Sequence, residues 1–327
     1  MAHFFQIWRP AGFHGRMDSR HHFFEGWFFK FVDHSRQHSY AFIPGISLGE
    51  DPHSFIQILD GQTHQSDYIR FQTGQFHAAA DKLDIQIANN HFTSQYCQLD
   101  IRSNQLVVTG QLEFGPLSPW PVKLWSPGAM GWYAFVPFME CFHGVLSFDH
   151  QLRGTLIING VPVSFDQGRG YIEKDWGRSF PSAYVWLQSN HFDQQNVSLM
   201  ASIANIPWFS RSFRGFIIGL WFNNRLYRFA TYTGAKLTAL NLSRRQLYFQ
   251  VSDRNFSLSV SAKRTSGGIL HAPYSNHMVQ RVYETLNSSV KIALFQRTRQ
   301  GKRLLYRGSG QPAALDINGK LEQIIDR

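Results

Sequence analysis

Short apolar segments separated by tight turns make up most of the chain, and many of them alternate apolar and polar residues. This alternation is typical of β-strands with one buried face, because successive side chains point to opposite sides of a sheet. Asn159-Gly160 separates two such segments and supplies the two positive φ angles that a type I′ hairpin turn requires. Turn signals recur about every 8–12 residues, the spacing of antiparallel sandwiches and barrels.

Helical periodicity is scarce. The best example begins at Ser275, a candidate N-cap, and places Met278, Val279, Val282 and Leu286 on one helix face. The chain is therefore predicted to be all-β with few short helices. Its strands outnumber those of one small barrel, so we predict two antiparallel β-barrels packed together.

Composition narrows the class of protein. The 327 residues are 43% hydrophobic, 15% aromatic and only 17% charged, which excludes a disordered chain. Cys97 and Cys141 are the only cysteines, which excludes a disulfide scaffold. No apolar run reaches the roughly 18 residues of a membrane-spanning helix, and the first residues lack the pattern of a secretory signal. We therefore expect a cytoplasmic protein.

The net charge is +10, from 32 basic and 22 acidic side chains. The densest basic cluster, residues 297–307, is spread over a predicted hairpin, so we expect no nucleic-acid partner. Residues 131–140 are unusually aromatic and suggest an apolar cavity or a lip that faces a membrane. An anionic membrane surface therefore suits the positive charge better than nucleic acid does.

One candidate acid lies in the strand-like segment 21–31, where Glu25 is placed between the rings of Phe23 and Trp27. A carboxylate buried among aromatic rings loses hydration, so its pKa is expected to rise towards that of a usable acid. The alternative is structural. Glu25 then forms an ion pair with Lys30 or an arginine and holds the barrel together.

A second candidate site is the segment 168–177. Alternation puts Tyr171, Glu173 and Asp175 on one strand face, and Lys174 and Trp176 on the other. Two carboxyls and a phenol pack poorly in an apolar core, so this face is solvated, ion-paired or functional. If it is functional, like-charge repulsion raises the pKa of one carboxyl and makes it an acid. The alternative is an ion-pair network of Lys174 with arginines.

A third pattern combines aromatic and amide side chains. Tyr184, Trp186, Gln188 and Asn190 share one predicted strand face, which suits a pocket that holds a ring and hydrogen-bonds its hydroxyls. The alternative is that Trp186 belongs to the core and Gln188 satisfies backbone groups at a barrel rim.

Other chemistries find little support. Gly45-Ile46-Ser47-Leu48-Gly49 matches a hydrolase nucleophile elbow, but the residues that follow do not predict the helix that an elbow requires. No zinc or nucleotide motif is present, and the adjacent His21 and His22 point to opposite faces of a strand. We therefore expect no cofactor and no metal, although distant strands can still assemble a metal site.

Three motifs, taken in order, resemble the tocopherol cyclase family: Phe24-Glu25-Gly26-Trp27-Phe28-Phe29-Lys30, Glu173-Lys174-Asp175-Trp176-Gly177-Arg178-Ser179-Phe180-Pro181 and Trp186-Leu187-Gln188-Ser189-Asn190. The closing segment Ala314-Leu315-Asp316-Ile317-Asn318-Gly319 is similar as well, so the resemblance covers most of the chain. That family resembles carotenoid hydratases and lipocalin-like proteins of two β-barrels. The resemblance therefore implies two lipocalin-like domains, residues 1–178 and 179–327.

The resemblance also implies an enzyme that closes the chromanol ring of a prenylated hydroquinone. Protonation of the tail alkene gives a tertiary cation, and a ring hydroxyl adds to it without a redox cofactor or metal. In the similar hydratases an acidic residue stands in the place of Glu173, which makes Glu173 the expected proton donor, with Asp175 or Tyr171 as its partner and Glu25 as the competing acid. The expected substrate-binding residues are Trp27, Lys174, Trp176, Trp186, Gln188 and Asn190.

This hypothesis requires acidic side chains from separate strands to meet in an apolar chamber. Its substrate is lipophilic and resides in a bilayer, so a peripheral membrane contact is expected. The main alternative is a non-catalytic, lipocalin-like carrier of a lipophilic isoprenoid, because fold alone does not determine function. A weaker alternative is a structural or interaction module.

Overall fold

The computed structural model describes residues 6–19, 21–103 and 105–325, and β-strands dominate these ranges. The all-β prediction is confirmed. The chain forms two compact units. The first comprises Met1–Phe180 and Gly268–Val282, and the second comprises Pro181–Gly267 and Tyr283–Arg327.

Over the described residues, the first antiparallel sheet has twelve strands. They are β1 (Phe23–Val32), β2 (Ser39–Leu48), β3 (His53–Asp60), β4 (Ser66–Phe71), β5 (Phe76–Ala78), β6 (Asp84–Ile87), β7 (Asn90–Thr93), β8 (Tyr96–Arg102), β9 (Val107–Phe114), β10 (Cys141–Ile158), β11 (Val161–Ser164) and β12 (Arg169–Gly177). Their order is β4-β3-β2-β1-β12-β10-β9-β8-β7-β6-β5, with β11 paired to β10. The first and last strands of this sheet in chain order, β1 and β12, are therefore neighbours.

The second antiparallel sheet has ten strands within the described ranges. They are β13 (Ala183–Ser189), β14 (Val197–Trp208), β15 (Arg211–Phe222), β16 (Arg225–Ala230), β17 (Lys236–Leu242), β18 (Gln246–Ser252), β19 (Phe256–Lys263), β20 (Gly268–Tyr274), β21 (His277–Thr298) and β22 (Gly301–Gly319). Their order is β16-β15-β14-β13-β22-β21-β19-β18-β17, and β20 pairs with β21.

Each sheet has its own hydrophobic core. In the first unit, Trp27, Phe29 and Phe31 alternate along β1 and point into that core, as the two-residue period predicts. Asn159 and Gly160 have φ angles of 50° and 82° between β10 and β11, which confirms the predicted hairpin.

Helical structure is limited to short pieces. The described residues contain 3₁₀ turns at Gln6–Trp8, Thr73–Gln75, Gly128–Phe135 and Thr231–Thr233, and one α-helix, α1 (Glu322–Ile325). No helix in the described part of the chain has the length and apolar character needed to span a membrane.

The helix predicted to start at Ser275 is wrong. Ser275 and Asn276 have φ angles of 47° and 67° and form the two-residue connection between β20 and β21. The apolar residues assigned to a helix face lie on β21 instead. Strand pairing along β21 outweighs a weak helical period in so short a segment. The Gly45–Gly49 segment likewise belongs to β2 and the turn after it, so the structure contains no nucleophile elbow there.

Gly177 ends β12 in a backbone conformation that suits glycine, with a φ of 146°. A Cβ atom there would lie 2.2 Å from the carbonyl oxygen of Glu140, so a side chain would force the backbone to move. We predict that Gly177→Ala lowers the free energy of unfolding, measured by urea denaturation, by about 1–3 kcal/mol. In the matched control, Gly74→Ala, the added atom meets nothing within 4 Å. That variant should stay within about 0.5 kcal/mol of the wild type, and equal losses in both variants would contradict the argument.

Candidate active site

The site is built around β12, which lies between β1 and β10. Glu25 and Trp27 of β1 stand opposite Trp176 and Lys174, and His143 of β10 stands opposite Asp175. Opposed residues of paired strands point to the same side of a sheet, so β12 separates two groups of side chains. We call them the inner network (Glu25, Trp27, Lys174 and Trp176, with His14) and the His143 cluster (His143, Tyr171, Glu173 and Asp175).

The inner network is a buried ion pair with further hydrogen bonds. The Nζ atom of Lys174 lies 2.7 Å from Glu25 Oε1, and both side chains are fully buried. The same Nζ donates to the Gly12 carbonyl oxygen at 2.5 Å and to His14 Nδ1 at 2.7 Å. The backbone N–H of His14 donates to Glu25 at 2.9 Å. The network therefore attaches the segment before β1 to the sheet.

The two tryptophans of the inner network contact this cation. Nζ of Lys174 lies 5.4 Å from the ring centroid of Trp27 and 4.3 Å from that of Trp176. Trp176 also stacks on the His14 ring, with 4.4 Å between the centroids. The three residues Trp27, Lys174 and Trp176, predicted to bind substrate, thus meet at the Lys174 ammonium inside the first unit.

The charge state of the inner network corrects the expectation for Glu25. Burial raises the pKa of Glu25, but the Lys174 charge and the hydrogen bonds from His14 and Lys174 outweigh it, so the net shift is downwards. Burial lowers the pKa of Lys174 to about 8 against the opposing effect of Glu25, which leaves Lys174 cationic at neutral pH. Burial also lowers the pKa of His14, so its neutral ring accepts a hydrogen bond from the Lys174 ammonium. Glu25 is therefore an ionised structural partner of Lys174, and the predicted rise in its pKa is wrong.

The His143 cluster gathers all the acidic groups predicted on the other face of β12. The Tyr171 hydroxyl donates to Glu173 Oε2 at 2.5 Å. His143 lies between the two carboxyls, with Nε2 3.6 Å from Glu173 Oε2 and Nδ1 2.9 Å from Asp175 Oδ1. Side-chain exposure rises from 5% at Glu173 to 11% at His143 and 27% at Asp175. The cluster thus connects a buried acid to solvent.

His143 holds a proton at neutral pH. Burial lowers its pKa, but the charges of Glu173 and Asp175 and the hydrogen bond to Asp175 raise it to about 9. Burial, with the charge of Glu173, raises the pKa of Tyr171 and keeps its hydroxyl neutral. The arrangement can store a proton and pass it between an imidazole and a carboxyl.

Glu25 and Glu173 do not converge, because they point to opposite faces of the same sheet. These two candidate acids therefore do not meet in one chamber. The residue that does meet Glu173 from another strand is His143, which sequence analysis missed. His143 is 32 residues from Asp175 along the chain, and only the β10–β12 pairing brings them together.

Three members of the cluster also have the chemistry of metal ligands. His143, Glu173 and Asp175 offer one nitrogen and two carboxylate oxygens within 4.8 Å of one another. A bound cation would have to displace the proton of His143, because imidazole binds metal only when that nitrogen is deprotonated. The ion pairs of the cluster account for this geometry by themselves, and the absence of a metal stays a prediction.

An apolar cavity of about 230 Å³ adjoins the cluster within the first unit. Its lining residues are Gln6, Ile7, Pro10, His14, Phe23, Pro127, Ala129, Met130, Ala134, Phe142, His143 and Trp176. His143 is thus the member of the cluster found among the residues that line the cavity, together with the aromatic residues Phe142 and Trp176. The volume is below the roughly 300–1,000 Å³ of pockets for drug-sized ligands, so the cavity suits one ring or one alkene unit.

The remaining predicted binding residues belong to the second unit. Trp186, Gln188 and Asn190 are all buried at or beside β13. Gln188 is fully buried, and neither its amide nitrogen nor its amide oxygen has a hydrogen-bond partner among the described residues. A buried, unsatisfied amide is costly, which makes Gln188 a candidate contact for a ligand with hydroxyl groups.

Two buried acids missed by sequence analysis lie near these residues. Asp316 of β22 stands opposite both Trp186 and Glu284. Burial and the Asp316 charge raise the pKa of Tyr184, which keeps that phenol neutral. Asp316 could have been found from the sequence, because it lies in the closing segment that resembles the family. Glu284 had no such signal, because its segment was assigned to a helix.

Two antiparallel sheets with separate cores define a two-barrel, lipocalin-like fold, and solved structures share it. Kievitone hydratase from Nectria haematococca superposes with a TM-score of 0.51 at 12% identity, covering 96% of this chain and 95% of the hydratase. CghA with Sch210972 gives a TM-score of 0.52 at 8% identity, covering 91% of this chain and 89% of CghA. At such identities the likeness extends to the fold alone. The predicted fold class is confirmed.

The chain belongs to the tocopherol cyclase-like family, whose model matches residues 91–319. It is 25% identical over 235 residues to the chloroplastic tocopherol cyclase of Zea mays. This match covers 67% of the chain but 49% of the maize protein, so the chain spans about half the length of that relative. The resemblance seen in the sequence motifs is thereby confirmed.

Removing one partner of the buried ion pair should be far more damaging than removing both. We predict that Lys174→Met lowers the free energy of unfolding by about 3–5 kcal/mol, because it leaves the Glu25 charge buried and unpaired. The double variant Glu25→Gln/Lys174→Met should recover most of that loss. Urea denaturation of the three proteins tests this, and a double variant as unstable as the single one would refute the ion pair.

Gln188 and Gln57 form a matched pair of buried amides with opposite predictions. Gln57 exchanges hydrogen bonds with the backbone of His271, at 2.6 and 3.2 Å. Gln188→Leu removes an unsatisfied amide and should raise the free energy of unfolding by about 1 kcal/mol, whereas Gln57→Leu should lower it by a similar amount. Thermal and urea denaturation measure both values. Destabilisation by Gln188→Leu would mean that its amide is satisfied within the protein.

Proposed function

We propose that this chain is a tocopherol cyclase-like enzyme, an intramolecular lyase that closes the chromanol ring of a prenylated hydroquinone. The observation that carries the proposal is the His143 cluster, where the imidazole lies between two carboxyl groups and His143 is one of the residues that line an apolar cavity. Membership of the tocopherol cyclase-like family and the maize relative support the same reaction class.

The reaction is balanced without a redox partner. The less substituted carbon of the tail alkene takes a proton from the cluster and leaves a tertiary cation. A ring hydroxyl oxygen donates an electron pair to that cation and forms the C–O bond. The hydroxyl proton then returns to the cluster, so the product has the mass of the substrate.

The charge balance of the cluster assigns the roles. Before the reaction, the proposal places one proton on the His143 imidazole and one on the Glu173 carboxyl. Because His143 is among the residues that line the cavity, it transfers a proton to the alkene. Glu173 then re-protonates the His143 imidazole. The cluster then has an imidazolium beside two carboxylates, and Tyr171 donates to the Glu173 carboxylate. Glu173 is thus the net proton donor, and the proton released by the ring hydroxyl restores it.

The cavity supplies what the cation requires. An alkene is a very weak base, so the proton must be delivered in a dry site where water does not compete. Phe142 and Trp176 both line the cavity, and their rings stack with 5.6 Å between the centroids, so aromatic side chains lie beside the place where the positive charge would develop. Trp186, Gln188 and Asn190 stay proposed as ligand-binding residues of the second unit, because the Gln188 amide is unsatisfied among the described residues.

The direct test incubates purified protein with prenylated hydroquinones and follows conversion to a product of equal mass by chromatography. Glu173→Gln should lower the rate by roughly 10²–10⁴-fold, the usual contribution of a general acid, while ligand binding is retained. Glu113→Gln, an exposed glutamate on β9, is the matched control and should leave the rate unchanged. Binding without any conversion by the wild type would favour a carrier instead.

The pH profile gives this prediction a second readout. His143 holds its proton at pH values below its pKa of about 9, so turnover should fall as the pH rises through that value. His143→Gln should lower the rate and remove the alkaline limb from the residual activity. A full rate above pH 10, or an unchanged profile in His143→Gln, would exclude His143 from the relay.

A further inference from the structure

Two large apolar side chains are presented at the tip of a tight hairpin in the first unit. The backbone groups of Lys123 and Ser126 bond to each other in both directions at 3.1 Å. Leu124 and Trp125 form the apex between them, and each is 72% exposed. Exposing side chains of this size to water is unfavourable, so a fixed apolar apex indicates a surface that covers it.

More exposed aromatic residues follow the apex. Trp132, Phe135 and Phe138 are exposed in the same segment, and we call these residues with Leu124 and Trp125 the apolar lip. The indole nitrogen of Trp8 donates to the Leu124 carbonyl oxygen at 2.9 Å, and its ring packs edge-on against Phe135 at 5.6 Å. The lip is thus held in place by contacts from the segment before β1.

The residues of the apolar lip include no acidic side chain. Between Glu113 and Glu140 the sequence has no acidic residue and one basic residue, Lys123. Lys123 and Arg9, next to Trp8, are both exposed, and the whole chain has a net charge of +10. Exposed aromatic residues with the basic neighbours Lys123 and Arg9 match the composition of surfaces that bind the headgroup region of anionic bilayers.

The apolar lip is continuous with the cavity. Pro127, Met130 and Ala134 line the cavity and come from the same segment as Trp125 and Trp132. The cavity of about 230 Å³ accepts one ring or alkene unit, so the rest of a long apolar ligand must lie outside it. A bilayer at the lip would keep that remainder out of water.

We propose that the apolar lip docks this protein on an anionic bilayer surface, with Leu124 and Trp125 inserted at the boundary between headgroups and acyl chains. A stable protein–protein interface needs about 20–30 residues from each partner, whereas the lip is a narrow apex with few side chains. The proposal rests on the proposed function only in requiring a lipophilic ligand. It holds equally for a carrier.

Vesicle sedimentation tests the docking without any turnover. The full-length protein is mixed with vesicles of phosphatidylcholine alone, or of phosphatidylcholine with phosphatidylglycerol. The wild type should bind the mixed vesicles, and Leu124→Ser/Trp125→Ser should reduce binding at least tenfold. Val161→Ser, at an exposed apolar residue on β11, is the matched control and should bind as the wild type does. Circular dichroism and thermal denaturation verify that the variants are folded.

The outcomes separate this proposal from the proposed function. If the wild type fails to bind mixed vesicles, or the double variant binds them fully, docking through the lip is wrong whatever the activity. If the wild type instead forms a dimer that the double variant abolishes, the lip covers a second copy and the membrane proposal is overturned. Should cyclisation occur, the double variant should lose it on vesicle-embedded substrate but keep it on substrate in detergent micelles.

Discussion

The antiparallel pairing of β12 with β1 and β10 determines where every charged group of the candidate active site lies. Because alternate residues of a strand point to opposite faces, one short segment supplies Lys174 to the inner network and Glu173 with Asp175 to the His143 cluster. A shift of one residue in this register would exchange the two sets. The division of these charged side chains between two faces therefore follows from one geometric constraint.

The two faces are not independent. Trp176 contacts the Lys174 ammonium and the His14 ring, and it also lines the cavity that His143 reaches. The ion pair of Lys174 with Glu25 holds His14 and Gly12, so it also positions the segment that forms one cavity wall. Burying the Glu25–Lys174 ion pair costs desolvation energy. The pair lies beside the cavity, and it holds one cavity wall in place.

Local pattern predicted much of this arrangement. Alternation placed Tyr171, Glu173 and Asp175 on one face, and the family motifs pointed to the same segment. The contacts of His143 and Glu25 depend on the pairing of strands that are distant in the sequence. No property of the residues around His143 signals its partner 32 positions away. The Glu25 pKa depended on Lys174, which comes from a strand 149 residues later. Burial alone would have raised the pKa of Glu25. The direction of its shift therefore could not be predicted without the pairing of β1 with β12.

The two groups of side chains differ in the ratio of cations to carboxylates, and this ratio decides which of them suits the proposed proton transfer. Glu25 faces the Lys174 cation and backbone N–H donors, so it has little tendency to accept a proton. In the His143 cluster one imidazolium faces two carboxylates, and a further proton would neutralise the excess negative charge. The proposed acid chemistry is therefore assigned to the Glu173 face of β12, while the Glu25 face keeps the cavity wall in position.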